Sequence, residues 1–171
     1  VITESGFIKS RFIDDKGSVA ALMGLLELLH RENIQPHFTT KIFISVYEEV
    51  GHGSSYIPED ITEMIAVDMG CIGEDLNCSE YDVSICAKDS GGPYDYEMTT
   101  KLVELAKANN LKYVVDICPM YGSDVGAALR GGNNIRGALI GPGVHASHGM
   151  ERTHYTALEN TIKLLYLYLT H

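Results

Sequence analysis

Segments that favour β-strands alternate with segments that favour helices along most of this chain of 171 residues. Runs rich in β-branched and aromatic residues predict five strands: Lys41–Tyr47, Glu63–Asp68, Tyr81–Cys86, Lys112–Ile117 and Ile135–Ile140. Four helices are predicted, from just after Asp15 to about Asn33, from Asp95 to Asn109, between Ser123 and Gly131, and from Thr156 to about Thr170. This alternation predicts an α/β fold of three layers (αβα), in which a mostly parallel mixed sheet carries helices on both faces.

Local patterns add detail to several of these elements. Lys41–Tyr47 is β-branched and aromatic, so we expect a buried strand. Tyr81–Cys86 alternates polar and apolar residues, as an edge or half-exposed strand does. Gly141-Pro142-Gly143 should end the strand before it, and Thr156-x-x-Glu159 should open the last helix as a capping box. With no linker and no shift in composition, we expect one domain, spanning residues 1–171.

The charge balance narrows the classes of partner. Lys and Arg number 13 against 23 Asp and Glu, a formal net charge of −10. An acidic surface repels phosphate backbones and anionic lipid headgroups, so we expect neither a nucleic-acid nor a membrane partner. Apolar stretches end well short of the ~20 residues that a membrane span requires. The four cysteines form no C-x-x-C pair, and we expect reduced thiols in a cytoplasmic protein.

Carboxylates and histidines follow the predicted strands at four places. Asp14 and Asp15 come after a short apolar segment, Glu48 and Glu49 after Tyr47, and Asp68 closes its own strand. His145 and His148 lie in the loop after Ile140. Ligands of open α/β sheets bind outside the carboxyl ends of the strands, so these side chains should converge on one edge. Alone, each has an ordinary explanation as a helix cap, a solvated acid pair or a turn residue. Their joint placement at one edge of the sheet favours a functional site over four separate ordinary explanations.

Converging carboxylates repel one another unless a cation compensates them. Asp, Glu and His together suit zinc, cobalt or manganese, and two such ions would need one bridging carboxylate. A free carboxylate beside them could take the proton of a bound water. If the backbone stays extended at Glu48 and Glu49, their side chains point to opposite sides, one to metal and one to water.

Other sequence signals are weaker. Ser123 and Asp124 open a short predicted helix and could meet an anion or a peptide terminus, although a plain helix cap explains them equally well. No G-x-S-x-G elbow is present, which disfavours a serine hydrolase.

Taken together, four motifs resemble those of a known enzyme family. They are Ile13-Asp-Asp-Lys-Gly17, Tyr47-Glu-Glu-Val-Gly51, Val67-Asp-Met-Gly70 and Ser147-His-Gly-Met-Glu151. Their order and spacing resemble the dinuclear metallo-aminopeptidases of the tetrahedral-assembly type, metallopeptidase family forty-two, which includes glutamyl and deblocking aminopeptidases. The resemblance runs from about Ile8 to the final helix and implies a zinc-peptidase-like fold.

The resemblance implies a role for each motif residue. Asp14 resembles the ligand that bridges two divalent ions, and its peptide bond to Asp15 is often cis in relatives. Asp15 resembles the acid that orients a metal-binding histidine. Glu48 resembles the general base. The other metal ligands implied are Glu49, Asp68 and His148, with His145 as the rival histidine and His154 as a third choice.

The chain departs from the family pattern in three ways. Lys16 stands where arginine is usual, a form similar to that of related dinuclear dipeptidases and deacylases. The family places another metal-binding histidine upstream, in an H-x-D motif, but residues 1–13 contain no histidine. A small β-barrel domain that relatives insert before Asp14 is also missing. The resemblance therefore implies that residues 1–171 are the C-terminal portion of a catalytic domain, lacking an N-terminal segment and the barrel.

These observations predict a cytoplasmic, metal-dependent aminopeptidase that acts on peptides and forms a homo-oligomer when intact. Two alternatives stay open: a related dinuclear metal dipeptidase or N-deacylase, and an inactive fragment or non-catalytic α/β module.

Overall fold

The computed structural model describes residues 1–171 and contains eight β-strands and four α-helices. The strands are Phe7–Ser10 (β1), Glu63–Val67 (β2), Gly70–Cys71 (β3), Val83–Asp89 (β4), Gly92–Pro93 (β5), Tyr113–Cys118 (β6), Arg136–Val144 (β7) and Glu151–His154 (β8). The helices are Ile13–Glu32 (α1), Tyr96–Ala108 (α2), Asp124–Arg130 (α3) and Tyr155–Thr170 (α4). A 3-10 turn covers Glu48–Val50.

The main sheet is mixed, as the alternation of elements predicts. Its strands lie in the order β2-β7-β4-β5, with β6 also paired to β4 and β3 to β7. The pairs β2–β7, β3–β7 and β4–β6 are parallel, whereas β4–β7 and β4–β5 are antiparallel. A separate two-stranded sheet joins β1 to β8.

Helices cover both faces of the main sheet. On one face Leu25 of α1, Leu102 of α2 and Leu164 of α4 pack with Ile85 and Ile140 of the central strands in the largest apolar cluster. On the other face α3 packs through Val125 with Ala66 and Leu139. Neighbouring strand residues point to opposite faces, so β4 and β7 supply side chains to both clusters. The three-layer α/β prediction is confirmed.

Two strand predictions are wrong in position. β4 lies between β7 and β6, with Val83 to Cys86 buried, and is not an edge strand. Ser84 of β4 packs closely against Gly70, so the alternation of polar and apolar residues in this strand does not indicate a solvent-exposed face. β7 continues through Gly141-Pro142-Gly143 instead of ending at Ile140. A Cβ on Gly141 would lie 1.3 Å from the Asp68 carbonyl oxygen, so glycine permits this close approach.

Two other expectations also change. Residues 41–47 form no strand and are mostly exposed, because no strand of this chain pairs with them. Helix α4 begins one residue before the predicted capping box. His154 is its N-cap, and the His154 imidazole Nδ1 accepts a hydrogen bond from the Thr156 N–H at 3.1 Å.

No helix combines the length and the apolar character that a bilayer-crossing segment needs. All four cysteines are free thiols.

Candidate metal centre

Asp14 and Asp15 lie where β1 leads into α1. Both have non-helical backbone angles, so the regular helix begins after Asp15, and the Asp14–Asp15 peptide bond is cis. The backbone N–H of Asp14 donates to the carboxylate of Glu151 at 2.9 Å, and the Ser147 hydroxyl donates to the Asp14 carboxylate at 2.5 Å. These contacts hold the Asp14 side chain at the start of the helix, where the helix dipole also stabilises its negative charge.

Asp68 follows β2 directly and is buried. Its carboxylate accepts a hydrogen bond from the Met69 N–H at 2.6 Å. The Tyr121 hydroxyl lies beside it and donates to the Met69 carbonyl at 3.1 Å. The Asp68 carboxylate is therefore held by the backbone just after β2 and lies beside Tyr121, which comes from a loop distant in sequence.

Glu48 and Glu49 lie in the 3-10 turn, not on extended backbone after a strand. The expected division of side chains by strand alternation is therefore wrong, although the two carboxylates still have different surroundings. Glu49 contacts His148, whereas Glu48 lies near Asp68 and Asp124. The turn ends at Gly51, whose backbone is left-handed (φ 81°).

His148 is the histidine that meets the acids. Its Nε2 lies 3.3 Å from Asp14 Oδ2 and 3.1 Å from Glu49 Oε2, and its side chain is 72% exposed. His145 instead exchanges backbone hydrogen bonds with Arg152, and His154 bonds the Ser5 carbonyl through Nε2 at 2.8 Å. The structure therefore brings His148 to the cluster and leaves His145 and His154 outside it.

The candidate ligands form two groups that share one residue. In one group, the side-chain oxygens of Asp14 and Glu49 and a ring nitrogen of His148 lie within 4.8 Å of one another. In the other, carboxylate oxygens of Asp14, Asp15 and Asp68 do so. A carboxylate has two oxygens, so Asp14 has the position and chemistry to join two cations.

Burial and mutual repulsion raise the carboxylate pKa values in this cluster. Burial, followed by the charge of Asp68, raises the pKa of Asp15 to about 9. The same two causes raise the pKa of Glu48 to about 8, and burial raises that of Asp68 to about 7. Burial and the nearby Asp14 raise the pKa of Glu49 as well. His148 is the one basic side chain that opposes these shifts, and it does so only at Glu49, so the excess of negative charge suits the cluster to a divalent cation.

One buried oxygen supports the fit to a cation. Asp15 Oδ1 is inaccessible and has no hydrogen-bond partner. An unpaired carboxylate oxygen is costly to bury unless it is protonated or meets a cation. Asp, Glu and His ligands are the donor set expected for zinc, cobalt or manganese.

Ser123 and Asp124 lie at the start of α3. Ser123 is the N-cap but its side chain makes no cap hydrogen bond; its hydroxyl lies 2.7 Å from the Tyr94 hydroxyl. Asp124 Oδ1 is buried without a partner, and its charge contributes to the raised pKa of Glu48. Asp124 thus lies next to the cluster, and Ser123 belongs to a separate network with Tyr94.

Three residues for which the sequence predicted no role hold the candidate ligands in place: Glu151, Tyr121 and Ser147. Glu151 and Ser147 belong to the motif that contains His148, so that motif already contained the signal. No motif contains Tyr121. It lies 52 residues along the chain from Met69, and only the folded structure brings its hydroxyl to the Met69 carbonyl.

Known proteins match this fold and this sequence. YhfE of Bacillus subtilis, which carries the name of an aminopeptidase, is 50% identical over 169 residues, covering 98% of this chain and 49% of YhfE. A TET aminopeptidase from a marine sediment Thaumarchaeota archaeon superposes with a TM-score of 0.85 at 16% identity, over 100% of this chain and 51% of its own. The TET1 peptidase of Pyrococcus horikoshii superposes with a TM-score of 0.82 at 18% identity, over 100% of this chain and 52% of its own.

At these identities the two structures show the fold alone. The chain spans about half the length of the relatives it matches. The family model described as M42 glutamyl aminopeptidase matches residues 1–164, nearly the whole chain. The resemblance drawn from the four motifs is therefore confirmed, and the chain belongs to the M42 glutamyl aminopeptidase family.

Proposed function

We propose that this chain is the portion of a metal-dependent aminopeptidase that carries most of its active site, and that the full-length protein removes N-terminal residues from peptides. One observation carries the proposal: Asp14 belongs to both candidate ligand groups. Family membership supports the peptidase class. Residues 1–171 would then be one portion of the catalytic domain. The relatives are about twice as long as this chain, and in the full-length protein the remaining polypeptide would supply the rest of the domain.

Two divalent ions, zinc, cobalt or manganese, fit these residues. Glu49 and His148 would hold one ion and Asp68 the other, with Asp14 shared between them. When bound, such ions polarise a scissile carbonyl and acidify the attacking water. A carboxylate oxygen of Asp15 lies within 4.8 Å of those of Asp14 and Asp68, so Asp15 would position these ligands.

Glu48 is the proposed general base. It lies beside the ligand cluster but belongs to neither ligand group, so its carboxylate is free to accept a proton. Partial burial makes its carboxylate a stronger base than a solvated glutamate, as suits a group that takes a proton from water and returns it to the leaving amine. Negative charge beside the site would also favour the protonated amino terminus of a peptide, and Asp124, whose charge acts on Glu48, would contribute to this attraction.

We also propose that the full-length protein is a cytoplasmic homo-oligomer. The Pyrococcus TET1 peptidase can assemble into a tetrahedron or a large octahedral shell. The common fold supports assembly of this protein as well, and its mass in solution tests this.

Hydrolysis assays at full length test the function. An aminoacyl anilide should be cleaved only when zinc, cobalt or manganese is present, and an N-acetylated analogue should not be cleaved. Preference for the N-acyl substrate would instead favour a deacylase, and cleavage of dipeptides alone a dipeptidase. Failure to bind any of the three metals in equilibrium dialysis would favour a non-catalytic module.

A further inference from the structure

Three of the four cysteines lie together on the face of the main sheet that α3 covers. Cys71 belongs to β3, Cys86 to β4 and Cys118 to the end of β6. Cys86 and Cys118 are buried members of one apolar cluster, and the half-buried Cys71 packs against that cluster. The Cys118 sulfur lies within hydrogen-bonding reach of the thiols of Cys71 and Cys86. Three strands therefore converge on sulfur atoms that the proposed peptidase reaction does not use.

A fourth sulfur atom completes this group, which we call the sulfur cluster: Met69, Cys71, Cys86 and Cys118. The Cys71 thiol sulfur lies 3.7 Å from the Met69 thioether sulfur. Two sulfur ligands that are each bound at about 2.3 Å to one tetrahedral ion lie about 3.8 Å apart. Met69 and Cys71 therefore already have the spacing of two ligands of a single metal ion.

The surroundings of Cys118 favour a negative charge on its sulfur. The thiols of Cys71 and Cys86, together with the backbone N–H of Cys71, donate to this sulfur and lower the pKa of the Cys118 thiol well below its usual range, although burial opposes them. All three donors are neutral, so the Cys118 thiolate is a buried anion without a paired cation. The thiolate is also the form of cysteine that binds metal ions.

We propose that the sulfur cluster is a second metal site, in which Cys71, Cys118 and Met69 bind one Cu(I) ion. Thiolate and thioether ligands together select a soft ion such as Cu(I), whereas zinc takes cysteine, histidine and carboxylate ligands. The half-buried Cys71 gives the ion a route from solvent. Binding involves no oxidation or reduction. Each of the three sulfurs donates an electron pair to copper, and the Cys71 thiol releases its proton to water.

The proposed copper site is close to the candidate peptidase site but shares no ligand with it. Tyr121 packs against the same apolar cluster as Cys71 and also lies beside Asp68. Met69 follows Asp68 directly in the chain. Because the ligands differ, copper binding can be measured while zinc occupies the carboxylates. This inference does not depend on the proposed peptidase activity, since its test measures copper binding instead of turnover.

Competition with bicinchoninate, a coloured chelator of Cu(I), tests the proposal on the full-length protein without oxygen and with excess zinc. We expect the parent to withdraw about one equivalent of Cu(I) more than Cys71→Ser or Cys118→Ser, and Met69→Leu to bind this equivalent at least about tenfold more weakly. Cys78→Ser is the matched control, since this buried thiol contacts the Ser79 carbonyl, and it should bind like the parent. Equal binding by the parent and both ligand-cysteine variants would overturn the proposal.

A measurement on the parent protein keeps the test decisive if a cysteine variant does not fold. Under the same conditions, Cu(I) should slow the alkylation of Cys71 by iodoacetamide at least about tenfold, read from the mass of the peptide that contains Cys71. Glu49→Ala, which removes a proposed ligand of the other site, should show the same protection. Unchanged alkylation of Cys71 in the parent would overturn the proposal. Protection that is lost in Glu49→Ala would also overturn it and assign the copper to the carboxylates around Asp14.

Discussion

The buried carboxylate of Glu151 accepts a hydrogen bond from the backbone N–H of Asp14 at 2.9 Å, across 137 residues of sequence. Its other oxygen accepts from the backbone N–H of His148 at 3.0 Å. A single side chain, 1% exposed, thus ties together the backbones of two candidate ligands that come from opposite ends of the chain.

Replacing this carboxylate should loosen both ligands at once. Glu151→Gln puts an amide N–H2 against one of the two backbone donors, so one hydrogen bond is lost and a buried donor is left unpaired. We expect the free energy of unfolding to fall by about 1–3 kcal/mol in urea denaturation and zinc affinity to fall with it. Glu4→Gln, at an exposed position, is the control and should change neither quantity. A variant as stable as the parent would contradict this role.

Removing the proposed base should separate metal binding from turnover. Glu48→Gln keeps the size of the side chain but cannot accept a proton from water. We expect aminoacyl-anilide hydrolysis by the full-length protein to fall about 10²–10⁴-fold while its metal content stays unchanged. Turnover within a few fold of the parent would eliminate Glu48 as the base.

The proposed ligands should respond in the opposite way. Glu49→Ala and Asp68→Asn each remove one carboxylate from a different group around Asp14. Each should lower the affinity for one zinc ion at least about tenfold, measured by titration calorimetry or by elemental analysis after dialysis. His145→Ala is the control, since His145 lies outside the cluster. Unchanged occupancy in either ligand variant would exclude that residue from the ligand set.

The metal-free chain should become less stable as the pH rises. The raised pKa values of Asp68 (about 7), Glu48 (about 8) and Asp15 (about 9) mean that the folded chain keeps protons that the unfolded chain has released near pH 4. Stability from these groups is therefore fully present below their unfolded pKa values and is lost as the pH rises through the folded ones. Asp15 and Asp68 contribute most, because solvent screens the half-exposed Glu48.

Urea denaturation at several pH values checks this expectation. The midpoint should fall between about pH 5 and pH 9 in the presence of a chelator. Asp15→Asn should flatten this dependence. Excess zinc should oppose the fall, because it binds the deprotonated ligands of the folded state. A midpoint that rises over this range would contradict the raised pKa values.

Local sequence determined most of the secondary structure and was enough to name the candidate site residues. The apolar and β-branched runs of β2, β6 and β7 carry their own strand signal, and the Ala- and Leu-rich stretch after Asp15 forms α1 as expected. Asp14, Glu49, Asp68 and His148 could be named from the resemblance of the motifs, and the structure collects them in two groups that share Asp14, with ligand atoms within 4.8 Å of one another in each group.

Only the tertiary structure decided which elements have neighbours. Residues 41–47 contain a strand signal but lie uncovered, because a strand also needs a partner, and none in this chain pairs with them. Tyr81–Cys86 shows an edge-like alternation but lies at the centre, since a serine there is buried against glycine. His145 is held by backbone hydrogen bonds to Arg152, whereas the imidazole of His148, three residues further along the loop after β7, reaches Asp14 and Glu49. Side-chain pattern is a local property of the sequence, whereas burial, pairing and the convergence of charges depend on contacts between residues far apart along the chain.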